Sequence, residues 1–234
     1  MKKTTLLLFT ALLAALPLSA QTTLQQALPL LQQNTRSAEQ TQQVLQLFRS
    51  SKDPDTVFAA GASLVKIPPA KTLEPALFNL ILKSDDPLKQ AFSAVIVTAM
   101  GSSHEELIPI LQETLNGKND VLRSYAAGAY GIITPADKSY VQDVVLLYIY
   151  DPAFAVRAMN LLADDSKALF KYLKQASAST DPQTRAAAAS WLGTLHSEEA
   201  AKQLLKMAKS EENTNVQAQL ATALAANAAN THQT

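Results

Sequence analysis

Along most of the chain, apolar residues recur every three or four positions rather than every second one. "LFNLILKS", "LIPILQETL", "VVLLYIY" and "AKQLLKMAK" each line up apolar side chains on a helix face. Short polar breaks separate such runs: "SKDPD", "SDDP", "NGKND", "STDP" and "SEENTN". Alternating Val- or Thr-rich runs are scarce and only six Gly are present, so the pattern predicts helices throughout. Many short helices with short breaks predict a structural repeat.

The register of that repeat is set by its turns. Asp-Pro occurs at Asp53-Pro54, Asp86-Pro87, Asp151-Pro152 and Asp181-Pro182, each time ahead of a helical stretch. Asp accepts from the free amides of a first turn, and Pro suits the first helical position because its missing N–H has no partner to lose there. The helical stretches after the turns align as well. "VLRSYAAGAYG" and "QTRAAAASWLG" superpose Arg123 on Arg185 and Gly131 on Gly193, and Arg157, Gln217, Gln90 and Val57 fall in the same column. The intervals from Val57 to Gln217 are 33, 33, 34, 28 and 32 residues. The column marks six second helices, each preceded by a partner predicted over 36–50, 73–83, 104–116, 138–149, 166–177 and 197–209. "TLQQALPLLQQ" predicts an N-terminal capping helix within 21–35, and the Gln-rich tract from Gln21 to Gln46 reads as solvated helix faces. The repeat domain spans 36–229, and 230–234 is expected to be a disordered tail.

Side-chain size gives the packing expected. Ala126-Ala127 and Ala187-Ala188 let second helices approach closely, while Leu122, Val156, Leu192 and Leu220 fill the seams. Trp191 is expected in the core beside Leu192, and Gly193 is expected to loosen a helix end. Ser103 and Glu106 have the spacing of a capping box, which would leave Pro109 deep enough to bend its helix.

Helix pairs of this period, with Asp-Pro, an Arg, paired Ala and a closing Leu-Gly, resemble HEAT repeats, in particular the short HEAT-like class also found in phycobilisome-lyase-type proteins. "DPQTRAAAASWLG" and "NDVLRSYAAGAYG" carry the resemblance best. It implies an all-α fold, an α-solenoid of about six HEAT-like helix pairs in a right-handed superhelix, with second helices lining the concave side. It implies no single activity. The resemblance also suggests that Arg123, Arg157 and Arg185 pair with turn acids of their own or the next repeat. The expected ladder comprises Asp53, Asp86, Arg123, Asp151, Arg157, Asp181 and Arg185.

The chain begins with two lysines, an apolar run from Leu6 to Leu16, and small residues to Ala20, the layout of a bacterial-style secretory signal peptide over 1–20. That run is shorter than the ~20 residues a membrane span needs, and no second one follows. The expected product is cut after Ala20 and works in the periplasm or outside the cell. There is no Cys, which excludes disulfides, thiolate metal sites and a thiol nucleophile. Lys plus Arg equals Asp plus Glu at 20 each, so losing Lys2 and Lys3 leaves a formal balance of −2 and no basic stripe for nucleic acid.

Candidate chemistry is thin. His104 opens "HEELI", but Ile108 stands where a second zinc-binding His would be. His196 suits a helix C-terminus, and His232 lies in the tail. The pairs Asp85-Asp86, Asp164-Asp165, Glu198-Glu199 and Glu211-Glu212 sit at predicted helix starts, where acids complement the helix dipole. No catalytic, metal or cofactor set emerges. The expectation is a non-enzymatic scaffold that holds a protein or peptide on its concave face. The alternatives are a HEAT-like lyase or enzyme accessory subunit, and a structural spacer in an envelope complex.

Overall fold

A computed structural model describes residues 24–231, with side chains to residue 228. The expected leader lies outside the described residues, as do residues 232–234. The described residues form thirteen α-helices and two short 3-10 turns, with no strand. They fall into two compact units, one ending at Ile96 and one beginning at Val97.

The first unit holds α1 (Leu24–Leu31), α2 (Ala38–Ser50), α3 (Pro54–Lys66), α4 (Glu74–Lys83) and most of α5 (Pro87–Ala99). Each start has a local cause. Ser37 and Gln40 form a reciprocal capping box on α2, and Asp53 caps α3 ahead of Pro54. Helices α1, α2 and α3 pack on one another around Val44, Phe48 and Leu64, all fully buried. Gly61, mid-helix in α3, leaves room for the Phe92 ring: a Cβ there would stand 2.5 Å from that ring. Phe58 meets the same ring edge-on at 5.1 Å. Arg36, a residue the repeat pattern does not mark, ties the loop before α2 to α3 by donating to the carbonyls of Ser63 and Ile67.

The second unit begins with the last turn of α5. It continues through α6 (Ile108–Leu115), α7 (Asp120–Ile133), α8 (Val141–Tyr150), α9 (Pro152–Leu162) and α10 (Ser166–Ala176). It ends with α11 (Pro182–Thr194), α12 (Glu198–Ser210) and α13 (Thr214–Thr231). Helix α13 runs two residues past the expected repeat end at 229. The stretch around Pro109 differs from expectation. His104, not Ser103, precedes a 3-10 turn at Glu105–Leu107, and α6 starts afresh at Ile108 with Pro109 in its first turn. The chain meets the proline's steric demand by starting a new helix rather than bending one.

The pairing of helices has one irregularity, and it coincides with the short interval of 28 residues. Second helix α7 packs on the next second helix α9, and α11 packs on α13. Between these couples, however, α11 packs on the first helix α8 rather than substantially on α9. Helix α8 touches α7, α9, α10 and α11, which explains its composition: Val144, Val145, Leu146 and Leu147 are four consecutive buried residues. A helix that is apolar all round is one surrounded by neighbours. Tyr148 stacks on Trp191 with ring centroids 4.6 Å apart, placing Trp191 in the core of this contact. Helix α9 is left with an open side, so Val156 is 38% exposed instead of filling a seam. Leu122 is half-buried, while Leu192 and Leu220 are buried as expected.

Helix α11 is enclosed too. Ala186, Ala187, Ala188 and Ala189 are all buried because α8, α10, α12 and α13 surround it. Gly193 does not loosen the helix end. A Cβ there would lie 2.9 Å from both the Cα and the Cβ of Ala223 on α13, so the glycine is what lets the two backbones meet. Gly193→Ala should therefore destabilise by about 1–2 kcal/mol in chemical denaturation, whereas Gly-to-Ala in an open helix would stabilise by up to about 1 kcal/mol. A gain in stability would contradict the close approach.

Candidate functional site

The aspartates of the repeat act on backbone. The carboxylates of Asp53, Asp151 and Asp181 accept from the amides of Thr56, Phe154 and Thr184 at 3.0, 3.0 and 2.8 Å, and Asp86 accepts from Leu88 at 3.0 Å. Hydrogen bonds from the Thr56 hydroxyl and amide hold the Asp53 carboxyl below its ordinary range. Burial pushes Asp181 upward, but bonds from Thr184 and Gln183 and the charge of Arg185 bring it below.

The arginine column forms no uniform Arg–Asp ladder. Its recurring bond is to a main-chain carbonyl six residues back. Gln90 donates to Ser84 at 2.7 Å, Arg185 to Ser179 at 3.0 Å and Gln217 to Glu211 at 2.7 Å. The last carbonyls of a helix have no partner within it, and a long donor on the following helix satisfies them. In the first repeat Val57 cannot donate, and Lys89 of the next helix pair supplies the bond to the carbonyl of Ser51 at 2.8 Å. The other two arginines depart from this bond. Arg123 holds Asp120 at 2.7 Å and Asp143 at 2.8 Å. Arg157 donates to the carbonyls of Thr98 and Ala99, and its burial lowers its pKa against the opposing field of Asp151.

Arg185 carries the strongest ion pair of the column. Nε and Nη2 meet the two carboxylate oxygens of Glu211, each at 2.7 Å, and Nη1 bonds the carbonyls of Ser179 and Thr180. The Arg185 bonds hold the Glu211 carboxyl down at about 2, against its burial. A hollow of about 590 Å³ beside this pair is lined by Ser177, Arg185, Glu211 and Glu212. Its guanidinium is already engaged on every side, so it is a structural clamp and not a free anion site.

A second hollow is a groove of about 640 Å³ across the faces of α11 and α13, lined also by the tip of α8. Ile149 and Tyr150 come from α8, Gln183 and Ala186 from α11, and Ala218 and Gln219 from α13. It exists because α11 stacks on α8, which brings the α8 tip against the face of a second helix. The Tyr150 hydroxyl donates to Gln183 Oε1 at 2.8 Å, and Gln219 Oε1 accepts from the Ser190 hydroxyl at 3.2 Å. Ile149 is 43% exposed in spite of its apolar side chain. The walls thus combine small or apolar surface with side-chain amides, the mixture of a ligand-binding cleft. Asp181 and Pro182 are the groove residues of the Asp-Pro steps that set the repeat register. Ile149 and Tyr150 could be read only as part of an apolar helix, because their exposure depends on which helix α11 stacks against.

No group of three or more His, Asp or Glu positioned for a metal ion occurs among the described residues. His104 precedes the 3-10 turn, and His196 follows α11 in the left-handed region at φ 47°. No described helix is long and apolar enough to cross a membrane.

No curated protein matches the chain. Residues 150–225, which take in α9 to α12 and most of α13, match the family model of HEAT repeats. That span contains the Asp151, Asp181 and Arg185 positions on which the repeat register rests, and its helix pairs have the packing such repeats require. Residues 150–225 thus match HEAT repeats within an all-α fold of solenoid type, a helical scaffold of a kind often used for protein interaction.

Proposed function

We propose that the protein is an exported, non-enzymatic scaffold that binds a protein or peptide partner, with the groove between α8, α11 and α13 as its contact site. The observation that carries this reading is the groove itself, an open trough on second-helix faces, lined by an exposed Ile149, small Ala side chains and amide groups. The near-neutral charge and missing basic stripe argue against nucleic acid as the partner. The absence of an acid, base and nucleophile set from the sequence argues against catalysis.

A photoreactive amino acid at Gln219, in the groove, should cross-link one predominant partner in cells. The same group at Leu205, 52% exposed on α12, should not. Equal capture from both positions would rule the groove out as the contact site. Export has its own test: N-terminal sequencing of the native protein should begin at Gln21, and a protein that still begins at Met1 would contradict it.

A further inference from the structure

We infer that the groove selects a segment carrying a lysine or arginine next to an aliphatic side chain, the cation lying against Tyr150 and Asp181 in the field of Asp120 and the aliphatic group on Ile149. This rests on the reading of the groove as a peptide site and adds the chemistry of what it takes.

Charge is distributed unevenly around the trough. Helix α13 has no charged residue in its 18 positions, and α11 has one, Arg185. Among the groove residues the one formal charge is the carboxylate of Asp181. In two places, two acids share a single arginine. Arg123 holds both Asp120 and Asp143, and Arg185 is bound to Glu211 while Asp181 lies in its field. Each group therefore keeps one unit of excess negative charge, and neither guanidinium is left to cancel it. Asp120 is 57% exposed and open to an incoming cation.

Tyr150 lines the groove together with Asp181 and lies in the field of Asp120 as well. Burial disfavours its ionisation first, and the fields of Asp120 and Asp181 add to that. Its hydroxyl hydrogen is committed to Gln183, which leaves the oxygen as an acceptor. A neutral phenol oxygen in the field of two carboxylates is an acceptor site for an ammonium or guanidinium group. Ile149, the preceding residue, supplies the apolar contact, and the amides of Gln219 and Asn215 line the same trough. An acidic segment would meet uncompensated like charge, which such arrangements reject.

The test is selection from a random twelve-residue peptide library on the full chain, followed by titration of the best binder. The expected winners carry Lys or Arg beside Leu, Ile or Val. Asp120→Asn and Asp181→Asn should each weaken the winner about three- to fivefold, as partly exposed ion pairs do, and Asn at 181 keeps a capping side chain. Binding should also fall with added salt. Ile149→Asp and Ala218→Phe, which alter the groove at opposite sides, should each reduce it at least tenfold with unchanged melting. Winners without basic residues, or indifferent to both Asn variants, would overturn the charge inference while Ile149→Asp still acted, leaving the groove reading intact. No enrichment, or binding indifferent to Ile149→Asp and Ala218→Phe alike, would remove the groove reading and this inference together.

Discussion

Ala188→Leu is expected to destabilise the protein by about 3 kcal/mol, the upper end of what overpacking costs in a filled core. Ala188 is fully buried on a helix that four others enclose, so three added heavy atoms have no free side to turn to. The neighbouring helices would have to separate, and the stacked Tyr148–Trp191 pair lies in one of those contacts. Ala187→Leu should behave alike, since Ala187 is equally buried. Equilibrium unfolding followed by the fluorescence of Trp191, the only tryptophan, reads both quantities at once: lower stability and a changed native spectrum. Variants that unfold with the parent would show that α11 is not enclosed as described.

Arg185→Ala should cost about 3 kcal/mol at neutral pH, because it leaves a largely buried carboxylate without its partner. Glu211 is only 6% exposed, and the carbonyls of Ser179 and Thr180 lose their donor at the same time. The pH dependence comes from the depressed carboxyl. Folding lowers the pKa of Glu211 from its ordinary 4.5 to about 2, so the pair's contribution is complete above the ordinary value. It is lost as pH falls from there toward the folded value. The stability gap between parent and Arg185→Ala should therefore be constant from pH 7 to 5 and close steadily on further acidification. A gap that failed to narrow between pH 5 and pH 2, or closed on raising the pH, would contradict the pair's role.

Much of this architecture was legible from the residues. Asp-Pro steps marked helix starts because capping and proline geometry are local, and the structure begins α3, α5, α9 and α11 at those prolines. Fully buried Ala187, Ala188 and Leu192 were legible from the repeated column. What depends on long-range partners was not. The Asp residues were readable as caps, but the bond from the arginine column to a carbonyl six residues back requires knowing how two helices meet. Glu211 was visible as an acid at a turn, yet nothing local says that Arg185 reaches it. Val156 looked like a seam residue because the column implied a uniform stack, whereas α11 rests on α8. The interval of 28 residues and the unbroken apolar run "VVLLYIY" were the two signs of that departure. The groove was illegible for the same reason, since it is made where the regular stacking changes.

Whether the groove at this change of stacking is the partner site can be decided by affinity. The partner cross-linked from Gln219 is titrated against three purified proteins: the parent, Ile149→Asp and Leu205→Asp. Both substitutions place one carboxylate on an exposed apolar position, one inside the groove and one on α12 outside it. At least a tenfold loss is expected for Ile149→Asp and parental affinity for Leu205→Asp, with all three proteins melting alike. Parental affinity for Ile149→Asp, or loss with Leu205→Asp alone, would show that the partner binds elsewhere.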